Sequence, residues 1–126
     1  MRILSIRQPW AHLIVSGRKN IENRSRATPY RGPFLVHASQ TINREQCARY
    51  GLDPAKLETG GVVGIAEIAD CVRRHPSRWF EGPCGYVWRR RRKLRIIPWK
   101  GALGLREAPA ALLKKLPKAV LRDYRV

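Results

Sequence analysis

Cysteine is scarce in this 126-residue sequence: Cys47, Cys71 and Cys84 make an odd number with no CxxC spacing. That argues against a zinc ribbon and against a secreted disulfide framework. His12, His37 and His75 are too scattered to read as metal ligands, so neither a metal nor another cofactor is expected. The reducing cytoplasm is the expected compartment. No hydrophobic run approaches the length of a membrane span, and no signal-peptide pattern opens the chain. Phenylalanine is rare and the basic residues are not stacked on one amphipathic helix, which weakens the case for a membrane partner. Internal repeats and long linkers are missing, and the length suits one domain with a real core. Acid is scarce as well. Lys and Arg number 26 against 9 Asp and Glu, a formal charge of +17. Such a charge destabilises a compact chain by self-repulsion and is best understood if the partner is a polyanion, whose counterions are released on binding.

Turn and periodicity signals order the rest. Arg2 to Arg7 alternates as a strand. Gln8-Pro9-Trp10 opens a short apolar helix through Ser16, and Gly17 stops it. That helix is greasy enough to require a sheet beneath it, and its His12 reads as a half-buried structural residue. Ile21 to Ser25 reads as a strand, followed by a loop at Arg26 to Pro33. Phe34 to Ala38 is a strand, and Asn43 with Gln46 forms a capping-box pattern for a helix reaching about Tyr50. Val62 to Val72 is apolar on both faces and is expected to be a central, covered strand. His75 to Phe80 suits a short helical turn. Gly85 to Trp88 and Leu94 to Ile97 read as two strands joined by Arg89-Arg90-Arg91-Arg92-Lys93. A last strand is expected at Trp99 to Leu105, then a helix from Pro109 to Pro117 and one more turn around Val120 and Leu121. Six or seven short strands with few helices describe a mainly β member of the α+β class: a small β-barrel with helices over one opening.

Three features carry candidate chemistry. Gly17-Arg18-Lys19-Asn20-Ile21-Glu22-Asn23-Arg24 puts a lysine, a carboxylate and an arginine within six residues. Strand alternation places Glu22 and Arg24 on one face, and Lys19 joins them if the backbone is still turning before Asn20. The group is either a surface salt bridge or a polar site for an anionic ligand. Glu67, on the face of Val63, Ile65 and Ala69, either sits at a cleft mouth with desolvation acting on it or pairs with one of the many arginines. The five cations from Arg89 to Lys93, at an expected hairpin tip, are either a solvated face or a phosphate-contacting loop, and the second reading is favoured. Arg26, Tyr30 and Arg31 interleave charge and ring on a loop, which suits phosphate contact with base stacking.

With these residues in view the sequence resembles the ASCH (activating signal cointegrator homology) family, a branch of the PUA-like β-barrels. The resemblance rests on Leu4-Ser5-Ile6, Gln8-Pro9-Trp10-Ala11, Gly17-x-Lys19-x-x-Glu22-x-Arg24 and Tyr30-Arg31-Gly32. It continues through Gly85-Tyr86-Val87, Pro98 and Gly101-x-x-Gly104-Leu105. It implies a PUA-like barrel of about six strands with short helices flanking a cleft. The domain would be residues 1–108, with 109–126 a helical extension packed on it. Lys19, Glu22 and Arg24 would line the cleft, with Ser5, Gln8 and Trp10 near its rim. Some ASCH-like proteins are hydrolases of RNA or of acylated cytidine-type nucleosides, using a Lys, a Thr and a Glu. Here Lys19 fits the lysine and Glu67 could fit the glutamate, but Glu22 stands where the threonine hydroxyl would be.

The leading expectation is therefore a nucleic-acid-binding module, for RNA ahead of DNA, with no obligate protein partner implied. Glu22 would accept from a base amino group, Arg24 would donate to a carbonyl or phosphate, and Lys19 would serve a phosphate. Arg26, Arg31, Arg89, Arg90, Arg91, Arg92 and Lys93 would add non-specific affinity, and Trp10 or Tyr30 a stacking surface. The alternative is a hydrolase using Lys19 and Glu67, with Glu22 beside them. Glu22 separates the two, because a carboxylate beside Lys19 favours the charged amine and hinders a neutral-amine role. A third reading, a protein recognised only through its charge, makes the cleft dispensable.

Overall fold

Residues 1–124 are described by the structure, a computed structural model. Six strands form one sheet: β1 (Arg2–Gln8), β2 (Ile21–Arg24), β3 (Gly32–Ile42), β4 (Gly61–Val72), β5 (Cys84–Pro98) and β6 (Arg106–Glu107), in the order β2-β5-β4-β3-β1-β6. The β1–β3 pair is parallel and the others are antiparallel. The expected barrel is not closed. The ladder ends at β2 and β6, and strands of four and two residues have too few backbone groups to pair across the gap.

Helices cover both faces of the sheet. α1 (Trp10–Val15) buries Ala11, Leu13, Ile14 and Val15, and a first apolar cluster joins Ile14 and Val15 to Leu4, Phe34, Val36, Ala66 and Trp88. The fit is tight at Gly64, where an added Cβ would lie 2.4 Å from Val15 Cγ1. A second cluster takes the alternate residues of the same strands, Ile3, Leu35, Val62 and Ile65, and packs them against Leu112, Leu116, Val120 and Tyr124. Leu112 comes from α3 (Ala110–Leu113) and Val120 from α4 (Lys118–Asp123), with Leu116 in the turn between the helices and Tyr124 at the C-terminal cap of α4. The last two positions of the expected 109–126 extension, Arg125 and Val126, lie outside the described residues. α2 (Arg44–Arg49) carries the expected cap, with Asn43 Oδ1 accepting from the Gln46 N–H at 3.0 Å. His75 to Phe80 is no helix; a single turn closes there, with the Phe80 N–H donating to the Ser77 carbonyl at 3.0 Å.

The largest departure from expectation is at Arg89 to Lys93. These residues are not a hairpin tip: they lie inside β5, a single 15-residue strand. Between the pairs Ala66↔Arg91 and Ile68↔Trp88, two residues of β5 face one of β4, so a bulge places Arg89 and Arg90 opposite Glu67. Beyond Trp88, β2 no longer covers the outer side of β5, and a run of cations suits such an edge because it repels a second strand. Bulges also break the alternation of β4, so Val63 and Ile65 belong to different apolar clusters rather than to one face. The expected strand at Trp99 to Leu105 is irregular. Its backbone is satisfied partly by side chains, with His37 Nε2 donating to the Trp99 carbonyl at 2.7 Å and the Ala102 N–H donating to Ser5 Oγ at 3.3 Å, while the Trp99 N–H donates to the Gly60 carbonyl at 3.1 Å.

Candidate nucleic-acid interface

A turn at the end of α1 creates the centre of the site. Gly17, at φ +87°, reverses the chain so that Arg18 and Lys19 N–H both donate to the Leu13 carbonyl, at 3.0 and 2.9 Å. The Trp88 indole donates to the Lys19 carbonyl at 3.0 Å and fixes that turn on the sheet. Lys19 Nζ then donates to Glu22 Oε1 at 2.9 Å, while Arg24 Nη2 lies 3.3 Å from Glu22 Oε2. Glu22 thus bridges both cations at once. The lysine and glutamate side chains are only 4% and 11% exposed, which rules out a freely solvated surface pair.

This triad lies in the wall of a cleft of about 720 Å³. Ser5 and Trp10 line it. Five cations (Arg7, Lys19, Arg24, Arg49 and Arg78) face it against two carboxylates, Glu22 and Glu81, so its potential favours an anion. Two rings that sequence reasoning did not single out, Tyr50 and Trp79, complete the wall, with centroids 5.1 Å apart. The Arg49 guanidinium lies 5.6 Å from the Tyr50 ring and that of Arg78 5.0 Å from Trp79. The signal available in the sequence was the repeated basic–aromatic dipeptide, Arg49-Tyr50 and Arg78-Trp79.

The organising run also holds the aromatic wall in place. Asn23 donates through Nδ2 to the Trp79 carbonyl at 2.9 Å and accepts through Oδ1 from Glu81 N–H at 2.8 Å. Asn20 Oδ1 accepts from the Ser77 hydroxyl at 2.7 Å. On the opposite rim, the loop of Gly101 to Gly104 is pinned by Ser5 and His37. His37 must carry its proton on Nε2 to donate to the Trp99 carbonyl, so Nδ1 accepts the Ser5 hydroxyl at 3.1 Å.

Other expected site residues lie elsewhere. Gln8 is not at the cleft rim: it is buried under α1, accepting from the His12 N–H at 2.9 Å and donating to the Glu58 carbonyl at 2.7 Å. It satisfies an orphan donor of the first helical turn. His12 beside it has its pKa lowered by burial, then by Lys93 and Arg18. Glu67 does not join Lys19 in the cleft. Its carboxylate is held by Arg89 and Arg90, and although burial pushes its pKa up, the hydrogen bonds from Arg90 and Arg89 outweigh this and hold it below the ordinary value. Arg91 donates to the Gly17 carbonyl at 3.3 Å, Arg92 pairs with Asp123 at 3.1 Å, and Lys93 lines a separate cavity with Gln8 and His12. Arg31 is exposed and tied to the Thr28 and Tyr30 carbonyls. Arg26 and Tyr30 line a neighbouring groove that shares Arg24 with the cleft. Among the described residues no group of three or more His, Cys, Asp or Glu is placed to hold a metal ion, and no helix is long and apolar enough to cross a membrane.

Comparison with known proteins identifies the family. The family model described as "ASCH domain" matches residues 4–111. The chain is 35% identical to Activating signal cointegrator 1 of Homo sapiens over 82 residues, covering 55% of this chain and 14% of that protein. The Mus musculus protein of the same name matches with the same identity and coverage. The chain therefore spans about a seventh of the length of these relatives. The crystal structure of ASCH from Zymomonas mobilis superposes with a TM-score of 0.61 at 17% identity, covering 90% of this chain and 91% of that one. A point mutant of the same protein gives 0.61 at 18% identity, covering 90% and 94%. At such identities the likeness is one of fold.

Proposed function

This chain belongs to the ASCH domain family, and we propose that it is a nucleic-acid-binding module whose cleft receives one unstacked base or nucleotide, of RNA ahead of DNA. The observation that carries the reading is the buried Lys19–Glu22 pair, with the half-buried Arg24 on its second oxygen, in a wall that also holds Trp10, Tyr50 and Trp79. A buried ion pair is often no more stabilising than an apolar pair of the same volume, so its position in an open cleft is better explained by a ligand than by the fold. The rings offer stacking surface to a base, and Arg7, Arg49 and Arg78 line the same cleft and would supply charge to its phosphate. Glu22 still has acceptor capacity beyond its two cations and would receive a base amino group. RNA is favoured because a cleft suits a splayed-out base, the usual form in which RNA sequence is read. A hydrolase built on Lys19 and Glu67 is disfavoured by their separation, since Glu67 is committed to two arginines outside the cleft.

The test is a titration of single-stranded RNA and matched DNA at two salt concentrations, with product analysis of the same samples. Steep salt dependence, RNA preference and loss of affinity on Trp79→Ala are expected, with the RNA intact. Binding that ignores Trp79→Ala but falls when Arg90, Arg91 and Arg92 are replaced by Ser would reduce the protein to a charged adaptor.

A further inference from the structure

The cleft does not end at its own rim. A second cavity of about 680 Å³ adjoins it, and Arg24 and Gly104 line both. The two have different characters. Both hold rings, Tyr30 and Tyr86 in the second, but the cleft wall itself carries carboxylates, whereas the second cavity is lined by Arg2, Arg24 and Arg26, of which Arg2 pairs with Glu107 and Arg24 with Glu22, each at 3.3 Å. Only the backbone carbonyl of Arg26 is engaged among the described residues, by the Tyr86 hydroxyl at 3.1 Å, and its side chain is exposed. Arg24 Nε is buried without a hydrogen-bond partner. Arg26 is thus the cation in excess of the acids around this cavity, and an arginine side chain with no carboxylate partner suits a phosphate rather than a base.

The cleft side of the loop that reaches the shared Gly104 carries a further oddity. Leu103 is 99% exposed, on a loop held from behind by the bond from Ala102 N–H to Ser5 Oγ. An anchored loop offering one bare apolar side chain at the mouth of a cleft has the form of a wedge, the device by which leucine separates neighbouring bases.

We propose that cleft and second cavity form one track for a single-stranded nucleic acid of at least two nucleotides. One base enters the cleft, the backbone crosses the saddle at Arg24 and Gly104, and the next phosphate meets Arg26 and Arg2. Leu103 packs between the captured base and its neighbour. The track rests on the proposed reading of the cleft, and it goes beyond that reading by assigning a second subsite and a minimum ligand length.

The experiment measures competition binding of single-stranded RNAs of one, two, three and six nucleotides to the full chain. Wild type should gain several-fold in affinity from one nucleotide to two. Arg26→Ser should lower affinity for two or more nucleotides about three- to tenfold and reduce the magnitude of the salt slope by about 0.7, the value of one phosphate contact on a single strand. Leu103→Ser should also weaken the longer ligands. Arg26→Ser should leave mononucleotide binding unchanged, and neither variant should alter thermal stability, because both side chains are exposed. If the six-nucleotide RNA binds and responds to Trp79→Ala but is indifferent to Arg26→Ser and Leu103→Ser, the track is wrong and the cleft stands. If no RNA binds at all, the reading of the cleft fails and the track fails with it.

Discussion

Replacing Glu22 by alanine is the sharpest perturbation of this molecule, because it strands Lys19. At 2.9 Å the Lys19–Glu22 pair has a gross attraction of about 6 kcal/mol at an effective dielectric near 20. Desolvation of the two ions, several kcal/mol each, offsets most of it, so the intact pair adds little net stability. Removing one partner is different. The desolvation of Lys19, whose side chain is 4% exposed, then stands uncompensated, and losses of about 3 to 5 kcal/mol are typical. The lower end is expected here, about 3 kcal/mol, since the cleft is open and water can reach the vacated space. The double variant Lys19→Met with Glu22→Leu removes both charges at similar volume and should recover most of that loss. Urea denaturation of wild type, the single and the double variant measures this directly, with RNA titration of the two stable proteins alongside. The double variant should fold and fail to bind. A Glu22→Ala loss below about 1 kcal/mol would show that the pair is effectively solvated and refute the burial reasoning. A double variant that binds RNA as tightly as wild type would remove the triad from the site.

Glu67→Gln should cost about 1 kcal/mol at neutral pH, a modest figure because Arg89 and Arg90 are largely exposed, and should be visible as a lower urea midpoint. The carboxyl is held below its ordinary value of 4.5 in the folded protein, so its contribution is fully present above that pH and is lost as pH falls through the lower folded value. The acid limb of the stability profile should therefore be shallower in Glu67→Gln, and an unchanged limb would exclude the linkage. Trp79→Ala or Tyr50→Ala should weaken single-stranded RNA binding by about 1 to 3 kcal/mol each if a base stacks there, with near wild-type far-ultraviolet circular dichroism. Gly64→Ala should destabilise the protein by about 1 to 3 kcal/mol, because the new methyl group meets Val15 Cγ1 at 2.4 Å and the Arg92 carbonyl at 2.7 Å. A Gly64→Ala protein with a wild-type melting temperature would mean that α1 moves off the sheet at no cost.

Much of this protein was settled by order along the chain. Gly17 followed by Lys19, Glu22 and Arg24 was enough to expect a turn and a shared face, since a glycine cap and strand parity act over a few residues. The same is true of the Asn43 cap and of the long apolar β4. The charge balance of +17 likewise needed only counting to suggest a polyanion. Tertiary structure decided what depended on distant partners. Charge alone favours solvent and a loop for the Arg89–Lys93 run, yet it stays extended because Glu67 and Asp123 lie close enough to pair with it and one side of β5 is uncovered. Gln8 matched the family's motif but turned inward, because the first turn of α1 left a donor to satisfy. Tyr50 and Trp79 lie 29 positions apart and meet only because Asn20 and Asn23 tie the second ring's loop to β2, while Arg18 reaches the Tyr50 carbonyl. Closure of the sheet was beyond local pattern for the same reason. Pattern marks where strands form, but closing a barrel needs two edges of matching length and stagger, and β2 and β6 do not provide them.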